Sequence, residues 1–124
     1  MSKPLEKGRK GEEIAKNHLL KNGYTIIEKN YHCRYGEIDI IARHQGLLEF
    51  IEVRTRTINS LNLPEESVTY QKLLKIRRTI SHFLENKFEI AKQNPKITSL
   101  RISLIGILLD ARENPVSLTH IPIQ

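Results

Sequence analysis

The sequence feature that most restricts the fold is a pair of apolar segments joined by a very short connection. Gly36–Arg43 and Leu47–Arg54 are both rich in Ile, Leu, Val and Phe, and only residues 44–46 separate them. Runs of this length and composition predict β-strands. A connection this short favours a hairpin. We therefore expect two adjacent antiparallel strands at the centre of the chain.

The rest of the chain predicts two helices and three more strands. Apolar residues at helical spacing predict a helix over Lys7–Asn22 and an amphipathic second helix over Thr69–Asn86. Further strands are predicted at Tyr24–Tyr31, Leu100–Leu109 and Val116–Ile121, and the polar segment 55–64 is expected to be a surface loop. The order α-β-β-β-α-β-β indicates an α/β fold with a single mixed sheet flanked by helices.

Length and composition narrow the class of protein. The 124 residues suit one domain over 1–124. No apolar run is long enough to span a membrane and no secretion signal is evident, so we expect a soluble, cytoplasmic protein. Cys33 is the only cysteine, which excludes an intrachain disulfide. The 20 Lys and Arg outnumber the 14 Asp and Glu, and the net charge of +6 favours a polyanionic partner such as nucleic acid.

Acidic side chains fall inside the two central strands. Because side chains alternate across a strand, Glu37, Asp39 and Ile41 are predicted to share one face of the first strand. Glu52 and Arg54 share a face of the second strand. Carboxylates are thus expected in largely apolar surroundings, and the pairing register decides what each of them meets.

Three arrangements of these carboxylates are open. If Gln45-Gly46 is the turn, Asp39 lies opposite Glu52, and carboxylates about 5 Å apart at Cβ can share one Mg²⁺ or Mn²⁺. If Gly46-Leu47 is the turn, Asp39 pairs with Arg54 and no metal is needed. If the strands lie at a sheet edge, every charge is solvated. The metal hypothesis requires that the two acids point the same way and that the neighbouring guanidinium neutralises neither.

The first helix adds a third acid. Glu12 lies on the same stripe as Ala15 and Leu19, which is predicted to face the sheet. The alternative is a first-turn Glu favoured by the helix dipole. Gly8 and Gly11 weaken the start of this helix and suggest a close backbone approach or a phosphate contact, although fraying would explain them equally well.

Several of these motifs occur in an order typical of one family. They are Gly8-Arg9-Lys10-Gly11-Glu12-Glu13-x-Ala15, Gly23-Tyr24, Asn30-Tyr31, Gly36-Glu37-Ile38-Asp39-Ile40-Ile41-Ala42 and Phe50-Ile51-Glu52-Val53-Arg54-x-Arg56. Over residues 8–56 the chain resembles the YraN family of small bacterial proteins. That family is similar to Holliday-junction resolvases, so the resemblance implies a restriction-endonuclease-like fold and allows a homodimer.

The resemblance also implies an active site. Its roles fall on Glu12, Asp39, Glu52 and position 54, where Arg54 replaces the usual Lys. Arginine cannot take a proton from water, but it can stabilise the negative charge on a scissile phosphate. Lys72 resembles a lysine that family members carry in this region and could supply a cation. Whether catalysis survives with Arg54 is left open.

Two functions follow from this resemblance. The first is a Mg²⁺- or Mn²⁺-dependent endonuclease acting on branched or structured DNA, with the ion held by Asp39, Glu52, the Val53 carbonyl and Glu12. The second is a nucleic-acid-binding module that retains the fold without hydrolysis. An interaction protein is a third class.

Tyr31 and Tyr35 are candidates for base stacking. Contacts to the nucleic-acid backbone are expected from Arg9, Lys10, Arg34, Arg43, Arg56 and Lys72.

Overall fold

The computed structural model describes residues 4–58, 69–87 and 96–124, with side chains from Gly8 onward. The elements are α1 (Pro4–Lys21), β1 (Thr25–Cys33), β2 (Gly36–His44), β3 (Leu47–Thr57), α2 (Tyr70–Asn86), β4 (Ser99–Leu109) and β5 (Pro115–Pro122). The predicted order is confirmed. The predicted loop is wrong over Thr55–Thr57, because β3 continues through these residues beside β4. Residues 59–64 of that prediction lie outside the described residues.

The five strands form one sheet in the order β1-β2-β3-β4-β5. β3 and β4 are parallel, and all other neighbouring strands are antiparallel. Parallel neighbours cannot be joined by a hairpin. In the chain, α2 lies between these two strands. The predicted single mixed sheet is therefore confirmed, and neither described helix is long and apolar enough to cross a membrane.

The hairpin register is the one in which Gln45-Gly46 forms the turn. Ile40 pairs with Ile51, and Ile41 with Phe50. The Gly46 carbonyl accepts hydrogen bonds from the backbone N–H groups of Thr98 (2.8 Å) and Ser99 (3.2 Å), which fixes the turn against the start of β4. The alternative register, with Asp39 opposite Arg54, is thereby excluded.

One helix covers each face of the sheet. On one face, Ala15 and Leu19 of α1 pack with buried residues of β2, β3 and β4, namely Ile40, Ala42, Ile51, Ile105, Ile107 and Leu109. On the other, Ile76, Ile80 and Phe83 of α2 pack with Tyr31, Ile38, Ile41, Leu48, Phe50 and Ile102. The sheet is therefore the middle of three layers, and each helix buries its apolar stripe against it.

The predicted side-chain alternation does not hold at the start of β2. Ile38 packs with Ile41 in the cluster on the α2 side, whereas alternation would put them on opposite faces. The ladder between β2 and β3 ends at the pair Ile40 and Ile51. Before that pair, β2 is no longer held in register with β3, so its pleat can change. Asp39 lies at this break.

A fully buried carboxylate lies farther along β3. Glu49 has no exposed surface. The Tyr24 hydroxyl donates to its Oε1 (2.8 Å), and His120 Nε2 lies 2.6 Å from its Oε2. Burial alone would raise the pKa of Glu49, but hydrogen bonds from His120 and Tyr24 lower it to about 2. The acid therefore stays ionised and links β3 to the start of β1 and to β5.

The start of α1 approaches β3 closely at Gly11. A Cβ atom at Gly11 would lie 2.0 Å from Thr55 Oγ1, whereas a Cβ atom at Gly8 would meet nothing within 4 Å. The predicted close approach is thus present at Gly11 and absent at Gly8. The missing side chain lets the first turns of α1 lie against the second half of β3.

We expect Gly11→Ala to lower the free energy of unfolding by about 1–2 kcal/mol, because the methyl group collides with Thr55. Gly8→Ala should instead raise it by about 0.5–1 kcal/mol through helix propensity. Adding Thr55→Ala to the Gly11 variant should restore most of the loss. Urea denaturation measures all three variants, and equal effects at the two glycines would contradict the close approach.

Candidate active site between β2, β3 and α2

A cavity of about 420 Å³ opens between the start of β2, the second half of β3 and the first half of α2. Five of the predicted site residues line it: Asp39, Glu52, Val53, Arg54 and Lys72. The strand pairing ends at Ile40 and Ile51, and just beyond it the hydrogen bond from the Val53 N–H to Asp39 keeps the start of β2 beside β3. The cavity thus collects acidic and basic groups on the α2 side of the sheet.

Gly36 allows α2 to come this close. Its φ of 154° suits glycine, and a Cβ atom there would lie 3.1 Å from Thr79 Oγ1. Thr79 is fully buried and donates to the Lys75 carbonyl (2.8 Å). The first turn of α2 is fixed separately by Thr69, whose hydroxyl oxygen accepts from the backbone N–H of Lys72 (3.1 Å). Together these contacts hold Lys72 over β3.

Asp39 is a partly buried acid of the cavity that forms no ion pair within the described residues. Its Oδ2 accepts from the Val53 backbone N–H (2.7 Å). Burial raises the pKa of Asp39 to about 6; the Val53 hydrogen bond opposes the rise, and the charges of Glu12, Glu52 and Glu37 add to it. An acid in such surroundings is stabilised by a proton or by a cation.

Glu52 is partly neutralised. Its Oε1 lies 2.8 Å from Arg54 Nη2 and 3.3 Å from Lys72 Nζ. Burial raises the pKa of Glu52, and the charge of Arg54 opposes the rise. Its Oε2 is buried and has no hydrogen-bond partner. The ion pair with Arg54 is the neutralisation that the metal hypothesis required to be absent, and it counts against metal binding at Glu52.

Two guanidinium groups of β3 lack hydrogen-bond acceptors for some of their buried nitrogens. Arg54 Nε and Nη2 and Arg56 Nε are buried without a hydrogen-bond acceptor. The contact between Arg54 and Glu52 is therefore close in distance but not aligned as a hydrogen bond. Buried cationic donors without acceptors are costly, and an anion close to them would lower that cost.

The third predicted acid lies apart from the cavity. Glu12 is half-buried on α1 and is not among the residues that line the cavity. Its charge nevertheless contributes to the raised pKa of Asp39. Within the described ranges, no three His, Cys, Asp or Glu residues come together as a metal-binding group. A cation here would therefore take Asp39 and Glu52 as its carboxylates, with a carbonyl or water completing its shell.

Two predictions about binding residues need correction. Arg43 is only 7% exposed, and its Nε donates to the Gln45 carbonyl (2.9 Å), so this side chain belongs to the hairpin turn and is poorly placed to grip a phosphate. Tyr31 is also 7% exposed, hydrogen-bonds to His82 and packs edge-on against Phe83, so it is a core residue and cannot stack on a base.

The other predicted binding residues lie nearer the surface. Arg9 and Arg34 are exposed, and Lys10 and Arg56 are half-buried. The sequence did not single out Lys75, although it lines the cavity with Lys72. The three-residue spacing of Lys72 and Lys75 could have identified Lys75, because it puts both lysines on neighbouring positions of one helix face.

Asp39→Asn should raise the free energy of unfolding at pH 7 by about 1–3 kcal/mol, because it removes a carboxylate whose pKa the fold raises from 3.8 to about 6. Above pH 6 the ionised form is penalised in the folded protein, so the gain is full. Below pH 3.8 the acid is protonated in both states, so the gain disappears. Urea denaturation across this range measures it. Glu85→Gln, an exposed acid of α2, should show no such gain.

The comparisons with known proteins agree on one family. The model of the uncharacterised protein family UPF0102 matches residues 11–107. A UPF0102 protein of Desulforamulus reducens is 41% identical over 115 residues, covering 92% of this chain and 90% of that protein. Another, from Legionella pneumophila, is 38% identical over 112 residues, covering 90% and 89%.

Two solved structures are weakly similar to this chain. An XisH family protein from Nostoc punctiforme has a TM-score of 0.34 and 11% identity, covering 87% of this chain and 97% of that chain. A fdxN element excision controlling factor protein from Anabaena variabilis has a TM-score of 0.37 and 14% identity, covering 87% and 96%. At such low TM-scores they carry no argument. On the family model and the close relatives, the chain belongs to the uncharacterised protein family UPF0102.

Proposed function

We propose that this protein is a metal-dependent nuclease that hydrolyses phosphodiester bonds in branched or structured DNA. The observation that carries the proposal is Asp39, a partly buried acid with a pKa raised to about 6, in one cavity with Glu52 and three basic side chains. Perturbed acids in a cleft are typical of catalytic sites. The resemblance of residues 8–56 to a family similar to Holliday-junction resolvases supports branched DNA as the substrate.

The acids of the cavity fit Mg²⁺ or Mn²⁺. Magnesium is held in many enzymes by one or two carboxylates and keeps several waters. Asp39 and the unpartnered Oε2 of Glu52 supply such carboxylate oxygens. The chemistry that a bound divalent ion supplies is a lowered pKa of an attached water and neutralisation of phosphate charge. In this proposal the Val53 carbonyl and water complete the ligand set, and Glu12, which does not line the cavity, contributes only through its charge.

In this proposal two basic residues share the roles that the resemblance would assign to one lysine at position 54. Lys72 Nζ lies 3.3 Å from Glu52 and comes from α2. A lysine can give up and regain a proton when it is desolvated, whereas arginine stays charged. In this proposal Lys72, the titratable group of the two, takes the proton-transfer role, and Arg54 stabilises the negative charge that develops on the phosphate.

The ion pair between Arg54 and Glu52 favours a second candidate function, which is nucleic-acid binding without hydrolysis. If Glu52 is committed to Arg54, only Asp39 remains to attract a divalent ion. The basic residues would still bind a phosphate backbone. This candidate predicts DNA binding that weakens with salt and is unaffected by EDTA.

Isothermal titration with Mn²⁺ and cleavage of flap and four-way junction DNA test the proposal. Wild type should bind Mn²⁺ and cleave, whereas Asp39→Asn should bind Mn²⁺ at least tenfold more weakly and cleave at least 100-fold more slowly. Glu13→Gln removes the same charge from an exposed position of α1 that lines none of the described clefts, and should match wild type. Cleavage absent from wild type, or equal in Asp39→Asn, would overturn the nuclease proposal. DNA binding without cleavage would establish the second candidate.

Substitutions at the two basic residues test the division of roles. Arg54→Lys should raise the cleavage rate about tenfold, because it frees Glu52 from the guanidinium and adds a titratable amine. Lys72→Met should lower the rate about 100-fold with Mn²⁺ binding retained, and Lys72→Arg should not restore it. A Lys72→Arg variant with wild-type activity would mean that only positive charge is needed there.

A further inference from the structure

Basic residues continue from the cavity along the exposed side of α2. Lys72, Lys75 and Arg78 are spaced three residues apart, and all three line a second cleft of about 560 Å³. Lys72 and Lys75 also line the candidate active site. A third cleft of about 300 Å³ is lined by Arg78 together with Arg34 and Tyr35. The three depressions therefore follow one another without a break.

The charges on this side of α2 are available to a ligand. Lys75 and Arg78 are exposed, and within the described part of the chain neither forms an ion pair. Arg77, on the flank near the chain end, instead donates from Nε to the Gln124 side chain (2.7 Å). Glu85 is the one acid that lines the third cleft. The excess of positive charge favours a polyanion over an acidic side chain.

The third cleft also contains a stacked pair. The Arg34 guanidinium carbon lies 4.9 Å from the Tyr35 ring centroid, and Arg34 Nη2 donates to the Tyr35 hydroxyl (2.7 Å). Tyr35 itself contacts His82 edge-on at 6.1 Å. These contacts hold the planar guanidinium over the ring while Arg34 remains exposed. The exposed face of a guanidinium positioned by such contacts is a surface on which a nucleobase stacks.

We propose that a single strand of nucleic acid runs along α2, with phosphates on Lys75 and Arg78 and an unpaired base on the Arg34 guanidinium. We call Lys72, Lys75, Arg78 and Arg34, with Tyr35, the α2 track. The distance from Lys72 to Arg78 is about 9 Å along the helix axis, so the track spans only a few nucleotides. The proposal deepens the proposed function, because it identifies the part of a branched substrate that enters the cavity.

An unpaired strand fits the track better than a duplex. In a duplex each internal base is stacked on both faces by its neighbours, so a stacking surface beside the phosphate contacts has nothing to bind. In a single-stranded flap or gap the bases are free to turn towards the protein. The phosphates then contact Lys75 and Arg78, and the base lies over Arg34.

Fluorescence anisotropy in EDTA tests the track without cleavage. The probe is a labelled 16-nucleotide single strand, compared with the same strand annealed to its complement. The double variant Lys75→Glu with Arg78→Glu should bind the single strand at least tenfold more weakly. Its slope of log affinity against log salt should fall by about 1.4, the value for two lost phosphate contacts on a single strand. Circular dichroism checks that each variant is folded.

The matched control is Arg77→Glu with Arg112→Glu, which changes the net charge equally at exposed positions outside the track. It should bind the single strand within about threefold of wild type. Arg34→Lys keeps the charge but removes the planar group, and should weaken single-strand binding about fivefold with little effect on the duplex. Equal losses in the control and the track variant, or a wild-type preference for the duplex, would overturn the proposal.

These results are separable from the nuclease test. Binding that depends on the α2 track in a protein that never cleaves would support the track and overturn the proposed hydrolysis. Metal-dependent cleavage by a protein whose single-strand binding is unchanged in the Lys75 and Arg78 variant would do the opposite.

Discussion

The pairing of β2 with β3 is the constraint on which the candidate site depends. The turn at Gln45-Gly46 sets the register, and the hydrogen bonds from Thr98 and Ser99 to Gly46 tie that turn to the start of β4. A shift of one residue would turn Phe50 away from the core on the α2 side, so burial enforces the same register. Once the register is set, Asp39 is brought to the backbone of Val53 and beside Glu52.

Two acids in the same sheet, Glu49 and Asp39, differ in how far the surrounding residues compensate their charge. Glu49 receives hydrogen bonds from Tyr24 and His120, and its pKa falls to about 2. Asp39 receives one backbone hydrogen bond, lies near other carboxylates, and its pKa rises to about 6. The first acid is compensated within the protein and serves stability. Asp39 has too little positive charge around it to be compensated, which is expected of a group that binds a ligand.

The sequence predicted the elements, their order and the mixed sheet, because these follow from local periodicity. It left the hairpin register open between two turns, and the observed pairing of Ile40 with Ile51 selects one of them. It also named Asp39, Glu52 and Lys72, which the cavity brings together. Local patterns could not predict the change of pleat at Ile38, since this depends on where β2 leaves β3. Nor could they predict the burial of Tyr31 and Arg43, which is decided by contacts with residues distant in sequence or by the local path of the turn.

The partner of Glu49 is on the last strand of the sheet. Until β5 adds next to β4, His120 cannot reach the innermost acid of β3, and that charge lacks one of its two close hydrogen-bond donors. The N-terminal part of the chain contains both central strands. When this part leaves the ribosome, the charge of Glu49 still lacks its contact with His120. Stable folding of the nascent chain should wait until β5 has emerged from the exit tunnel.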